Sequence, residues 1–252
     1  MTDYHSPLND SHLYPQSNQL VPDSNDKELT INPNNSKAWF ERGYSLFISG
    51  HYSEALISFD NALTINPDYP EAWTRLGDSL SKLEKYSNAL ASYDEALKID
   101  PEWYEAWLGR GIALGWLGRC DEAVRSFDNA IRIFPFLSLA WIYRGNTLGR
   151  FGRFHEALYS YQKALKISPS HTVALNGLGK SLAHFGRHDV ALEIYDYTIR
   201  INPEYPETWN NRGISLCEIG HIDEAISSFE RALALDPEYN EARENLERVL
   251  NI

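Results

Sequence analysis

Two groups of residues in this chain of 252 have the types and spacing to do chemistry. Gly109, Gly111, Gly115 and Gly118 are dense enough to suggest a loop whose backbone amides cradle phosphate. His184 and His188 stand four apart, as two metal ligands on one helix face do. Each group has a plainer reading. No strand-like run precedes the glycines and their spacing misses the dinucleotide pattern, so no cofactor is expected. Gly186 breaks the helix that would align the histidines, and at whole multiples of 34 residues upstream of His188 the chain holds Phe154, Tyr86 and Tyr52, so packing is expected in place of a metal. The other histidines show no ligand spacing. The sequons at Asn9 and Asn34 matter only along a secretory route, and no charged-then-apolar leader opens the chain. No catalytic residue is expected.

The step of 34 is general. Six blocks run without insertion over 36–69, 70–103, 104–137, 138–171, 172–205 and 206–239. Their fourth places carry Trp39, Trp73, Trp107, Trp141, Leu175 and Trp209. Their eighth places are all glycine (Gly43 to Gly213), their twentieth all alanine (Ala55 to Ala225), and four residues on stands an aromatic, from Phe59 to Phe229. Each block closes on proline, from Pro67 to Pro237. Within the second block Trp73, Leu76, Gly77 and Leu80 fall on one helical stripe, Ala89, Leu90, Tyr93, Ala96 and Leu97 on another, and a turn near Glu84 separates them. Glycine inside a helix costs roughly 1 kcal/mol against alanine, so its recurrence predicts close approach of the paired helix at its alanine. Proline, with no backbone donor, ends the second helix.

These residues resemble the signature of the tetratricopeptide repeat family. The resemblance implies an all-α fold, a right-handed α-solenoid of stacked antiparallel helix pairs. Leu175 for tryptophan and Thr198 for the second alanine mark the fifth block as the loosest, and arginine (Arg42, Arg110, Arg144, Arg212) replaces the usual leucine at four seventh places. Residues 27–35 reproduce the close of a repeat, a half-repeat cap. Residues 240–252 restart a first helix with charged residues suited to a capping outer face. Residues 1–26, rich in Asn, Asp, Ser, Gln and Pro with no helical period, are expected to be disordered.

Composition narrows the function. A hydrophobic content of 43% supports a long continuous core, no apolar run is long enough to span a membrane, and a cytoplasmic protein without membrane insertion is expected. Cys120 and Cys217 lie nearly three blocks apart, beyond disulfide reach. With 23 basic against 35 acidic residues, a formal charge of −12, the chain lacks the positive track nucleic acid needs, and protein surfaces are the expected partners, with no small-molecule substrate.

The resemblance also implies where a partner would lie. In such repeats the second, fifth, ninth, twelfth and thirteenth places of the first helices face a concave groove. Here they give an apolar patch of Phe40, Tyr44, Phe47, Ile48, Leu108, Ile112, Trp116 and Ile142, then a polar stretch of Asn146, Asn176, Lys180 and Asn210, with Asn211 one place over. Apolar side chains in water forgo roughly 1.5–3 kcal/mol each, so a partner or the N-terminal segment is expected to cover them, and asparagines can hold a peptide backbone whatever its sequence. The fifth places hold no basic residue, which argues against the family's clamp for chaperone tails. The expectation is a non-enzymatic scaffold or adaptor binding an extended protein segment. The alternative is a structural solenoid that self-associates through an end or the apolar patch.

Each unusual arginine has an aspartate sixteen residues earlier: Asp26, Asp94, Asp128 and Asp196. Ion pairs between successive blocks are therefore predicted.

Overall fold

The computed structural model describes residues 28–251, so the segment 1–26, expected to be disordered, lies outside the described residues. Every regular element described is helical. One turn, 28–31, precedes α1 (Ser36–Ile48), α2 (Tyr52–Ile65), α3 (Pro70–Lys82), α4 (Tyr86–Ile99), α5 (Tyr104–Trp116) and α6 (Cys120–Ile133). Then come α7 (Ser138–Arg150), α8 (Phe154–Ile167), α9 (Thr172–His184), α10 (His188–Ile201), α11 (Pro206–Glu218), α12 (Ile222–Leu235) and α13 (Asn240–Leu250). The chain divides into two compact units, Met1–Pro135 with α1–α6 and Phe136–Ile252 with α7–α13. Within each, odd and even helices alternate as the first and second helices of a block, each second helix packing on the next first helix.

Local chemistry sets the boundaries. Pro70 and Pro206 open α3 and α11, where a missing amide proton costs nothing. Between the helices of a block the chain turns through a left-handed residue at the fifteenth place. It is glycine in five blocks (φ 73° to 82°) and Glu84 at φ 59° in the second.

The reason for the eighth-place glycines differs from the expected one. A Cβ on Gly77 would stand 2.7 Å from the Tyr93 ring, and one on Gly111 2.5 Å from the Phe127 ring. The paired helix does come close, yet what fills the gap is its aromatic ring; the alanine four residues earlier, such as Ala89 or Ala123, is simply fully buried. Two sixth-place glycines extend the arrangement. Tyr93 also lies where a Cβ of Gly109 would be, at 2.5 Å, and Tyr161 lies 2.3 Å from that of Gly177, so each ring is held between glycines of successive first helices.

The recurring tryptophan and proline are partners. The indole Nε1 of Trp39, Trp73, Trp107 and Trp209 donates to the carbonyl of Pro33, Pro67, Pro101 and Pro203 at 2.8–2.9 Å, tying each first helix to the close of the block before. Arg243, in the tryptophan's place on α13, donates to the Pro237 carbonyl instead. Leu175 is buried but has no proton to give. Thr198, the other departure of that block, is fully buried with its hydroxyl donating to the Ile194 carbonyl at 2.7 Å.

Two of the predicted arginine pairs are made within the units. Arg110 Nε meets Asp94 Oδ1 at 2.7 Å, and Arg212 Nε meets Asp196 Oδ1 at 2.7 Å. Asp26 lies outside the described residues, and Asp128 and Arg144 belong to different units. A second bond was not foreseen: Arg42, Arg110, Arg144 and Arg212 each donate through Nη1 to the serine sixteen residues later, Ser58, Ser126, Ser160 and Ser228, at 2.7–2.8 Å. The sequence carries only part of this signal: the fifth block, with leucine at the seventh place, has Ile194 where those serines stand, but the second block, with Leu76, keeps Ser92.

Candidate functional site

Stacking first helices side by side closes part of the face expected to bind. In the first unit Phe40 and Phe47 are buried, Phe40 against Phe59 and Tyr69 (ring centroids 5.7 and 5.0 Å) and Phe47 edge-on to Tyr52 at 5.5 Å. Leu108 keeps 4% of its surface and Ile112 is likewise buried. Ile142, in the second unit, is buried as well. These residues need no partner to cover them. The fifth place lies where neighbouring helices meet and the twelfth where a block's own second helix begins, and at Ile112 a ninth place is closed too, so the expectation of an open apolar patch fails at all five.

What remains accessible in the first unit is narrower. Tyr44 is half-buried with the Arg75 guanidinium 6.0 Å from its ring centre, and Ile48 is 51% exposed. Trp116 is half-buried and stacks on Tyr86, centroids 5.6 Å apart and planes within 12°. Arg75 Nη1 binds Asp78 Oδ2 at 2.8 Å, and the Tyr93 hydroxyl, emerging between its glycines, donates to Asp78 Oδ1 at 2.9 Å. Burial pushes the Glu105 carboxyl up, against the pull of Arg75. Burial, then Glu71 and Glu41, push Tyr69 up to about 12.

The asparagines of the second unit hold each other. Asn211 Nδ2 donates to Asn176 Oδ1 at 3.2 Å, Asn245 Nδ2 to Asn210 Oδ1 at 2.9 Å, and Asn210 Nδ2 to the Tyr239 hydroxyl at 3.4 Å. Asn210 is fully buried, and Asn176 and Asn211 are buried too. The two amide-to-amide bonds step from one first helix to the one before and the third reaches the residue that precedes α13, so these amides lock neighbouring elements together and are not free to hold a peptide. The reading of Asn176, Asn210 and Asn211 as backbone-holding groups is therefore corrected. Asn146 stays half-buried and accepts from the Tyr161 hydroxyl at 2.8 Å, while Lys180, Arg150 and His184 are exposed.

The motifs set aside in the sequence sit within helices or at their ends. Gly109 and Gly111 lie inside α5 against aromatic rings. His184 ends α9 with its ring 3.8 Å from Phe154, and His188 begins α10. Among the described residues no group of three or more His, Cys, Asp or Glu is placed to hold a metal ion, and no helix is long and apolar enough to cross a membrane.

Comparison with known proteins agrees with this architecture. Models of the tetratricopeptide repeat match residues 70–102, 206–239, 116–172 and 142–206, and a TPR repeat model matches 43–84. No curated protein sequence matches. Among solved structures, the type IV pilus biogenesis factor PilW is 21% identical with a TM-score of 0.75, over 85% of this chain and 98% of that one. YrrB, described as a TPR protein with an unusual peptide-binding site, is 23% identical with a TM-score of 0.59, over 74% and 96%. A chain of the APC/C hetero-tetramer Cut9–Hcn1 is 16% identical with a TM-score of 0.77 over 95% of this chain, which spans about half of its length. The helix pairs, the ring-on-glycine packing and the matched repeats lead to one assignment: the chain belongs to the tetratricopeptide repeat family.

Proposed function

We propose that this protein is a non-enzymatic interaction scaffold that, within each unit, holds an extended segment of another protein along accessible ninth and thirteenth places of the first helices. One observation carries this reading. The places that repeat are consumed by packing, whereas Tyr44 and Ile48 in the first unit, and Asn146, Arg150, Lys180 and His184 in the second, differ from block to block and stay at least partly accessible. Variable chemistry on a rigid, regular frame is what selective recognition requires. The peptide-binding site named for YrrB and the pilus biogenesis role named for PilW are in keeping with a scaffold that binds other proteins.

The test is site-specific photocrosslinking of the full chain in native cell extract, with a benzophenone side chain at position 48, 180 or 57. Ile57 is 62% exposed on a second helix and serves as the control. A partner should be captured from position 48 or from position 180 and not from 57, and Ile48→Asp or Lys180→Glu should weaken capture within its own unit. Equal capture from all three positions overturns the reading. Capture of a second copy of this chain alone would support the self-associating alternative.

A further inference from the structure

The turns that join α7 to α8 and α9 to α10 alternate cationic and aromatic side chains. The first runs Arg150, Phe151, Gly152, Arg153, Phe154, His155, and the second His184, Phe185, Gly186, Arg187, His188, Asp189, the one acidic residue of the two. They interlock. The His184 ring stacks on Phe154 at 3.8 Å between centroids, and the His155 ring on Phe185 at 4.2 Å, which makes one surface of two turns. Arg150 and Arg187 are exposed, the Arg150 guanidinium lying 5.4 Å from the centre of the Phe151 ring. Phe151 and Phe185 keep 41% and 38% of their surface. Charge sets this region apart. The block 138–171 has five basic residues, Arg144, Arg150, Arg153, Lys163 and Lys166, against Glu156, which pairs with Arg153. The block 172–205 has three, Lys180, Arg187 and Arg200, against four acidic residues, so the basic excess is local to the first turn and Arg187. The next turn, between α11 and α12, begins with Glu218 and ends with Asp223, so the basic strip stops there.

We propose that this edge receives a short acidic segment of a partner protein, with carboxylates bound by Arg150 and Arg187. The inference rests on the scaffold reading and adds the partner's chemistry, on a face formed by the turns. Packed helices stand about 8–10 Å apart and an extended chain advances about 3.3–3.6 Å per residue, so the two turns match a run of three or four residues. Guanidinium forks suit carboxylates, and the exposed rings offer faces to the stems of glutamate side chains. A longer polyanion gains little, because binding nucleic acid needs a continued basic track and the strip ends at Glu218.

The test uses the full chain and a fluorescein-labelled peptide with four consecutive glutamates, against the same peptide with four glutamines, by fluorescence anisotropy at low salt. The glutamate peptide should bind at least tenfold tighter, and about 0.5 M NaCl should abolish the difference, since exposed ion pairs are screened. Arg150→Glu with Arg187→Glu should lose the preference tenfold or more, and the milder Arg187→Gln should lose part of it with the helical circular dichroism unchanged. Lys98→Glu, exposed on a second helix of the first unit, should leave it intact. Equal binding of the two peptides, or an undiminished preference in the double variant, overturns the inference. So does tighter binding of an oligothymidylate or of phosphatidylserine vesicles through the same arginines. If the peptides fail while crosslinking at position 48 still captures a partner, the scaffold reading stands and this one does not.

Discussion

Arg110 on α5 donates through Nε to Asp94 on α4 at 2.7 Å and through Nη1 to Ser126 on α6 at 2.8 Å, so one guanidinium joins three successive helices. Arg212 does the same with Asp196 and Ser228. The fork suits the task because its donors diverge in a plane, one toward the preceding block and one toward its own second helix. The Arg110 side chain is 21% exposed and that of Asp94 43%, so the pair lies between a surface bridge and a buried one.

Arg110→Leu should therefore destabilise by about 1–2 kcal/mol, less than the roughly 3–5 kcal/mol of a fully buried pair, because the stranded Asp94 can rehydrate. A cycle with Asp94→Asn, read from urea midpoints, should give a coupling near 1 kcal/mol that shrinks in high salt. A coupling within error of zero would leave the pair without energetic meaning.

Alanine for glycine should have opposite signs at two places on neighbouring helices. Gly177→Ala puts a Cβ 2.3 Å from the Tyr161 ring, whereas the nearest atom to a Cβ on Gly149 is 3.8 Å away. The first should cost about 1–3 kcal/mol through overpacking, and the second should gain up to about 1 kcal/mol from helix propensity. Thermal melts of the two variants check this, and Tyr161→Leu should relieve the first. Equal shifts would mean that the ring moves aside freely.

Asn210→Ala removes the acceptor of Asn245 Nδ2 inside a buried contact. An expected loss of about 1–3 kcal/mol follows from leaving a buried amide without its partner. Partner capture from position 180 should be unchanged at a temperature where the variant is folded. Lost capture with unchanged stability would restore a direct binding role for this asparagine.

Leu175→Trp should restore the bond from indole to proline carbonyl that four other blocks make. A gain of about 0.5–1.5 kcal/mol is expected for a well-formed hydrogen bond, seen as a higher melting temperature with unchanged helix content. A lower melting temperature would show that the α9 contact is built around leucine.

Much of this was legible in the chain itself. The helix pairs, their boundaries and the places of Trp, Gly, Ala and Pro repeat every 34 residues, and periodicity is local information that a sequence carries openly. The Arg110 to Asp94 and Arg212 to Asp196 pairs were also readable, because aspartate stands sixteen residues before each such arginine, Asp60 before Leu76 being the one exception to their varying together. The neighbour of each eighth-place glycine was not: both Ala89 and Tyr93 lie on the face that meets Gly77, and only the packed structure shows the ring in the gap.

The candidate face divides along the same line. The sequence alone determined that the fifth, ninth and thirteenth places of the first helices share one side, because that follows from the helical period. Only the tertiary structure decided that Phe40, Leu108, Ile142, Asn176 and Asn210 at the fifth place are closed by packing while Ile48, Lys180 and Arg150 remain open. The physical reason is that burial is set by how near the neighbouring helix comes. That distance depends on residues from other blocks, such as Gly109 and Gly177 admitting a tyrosine ring or Asn211 reaching Asn176.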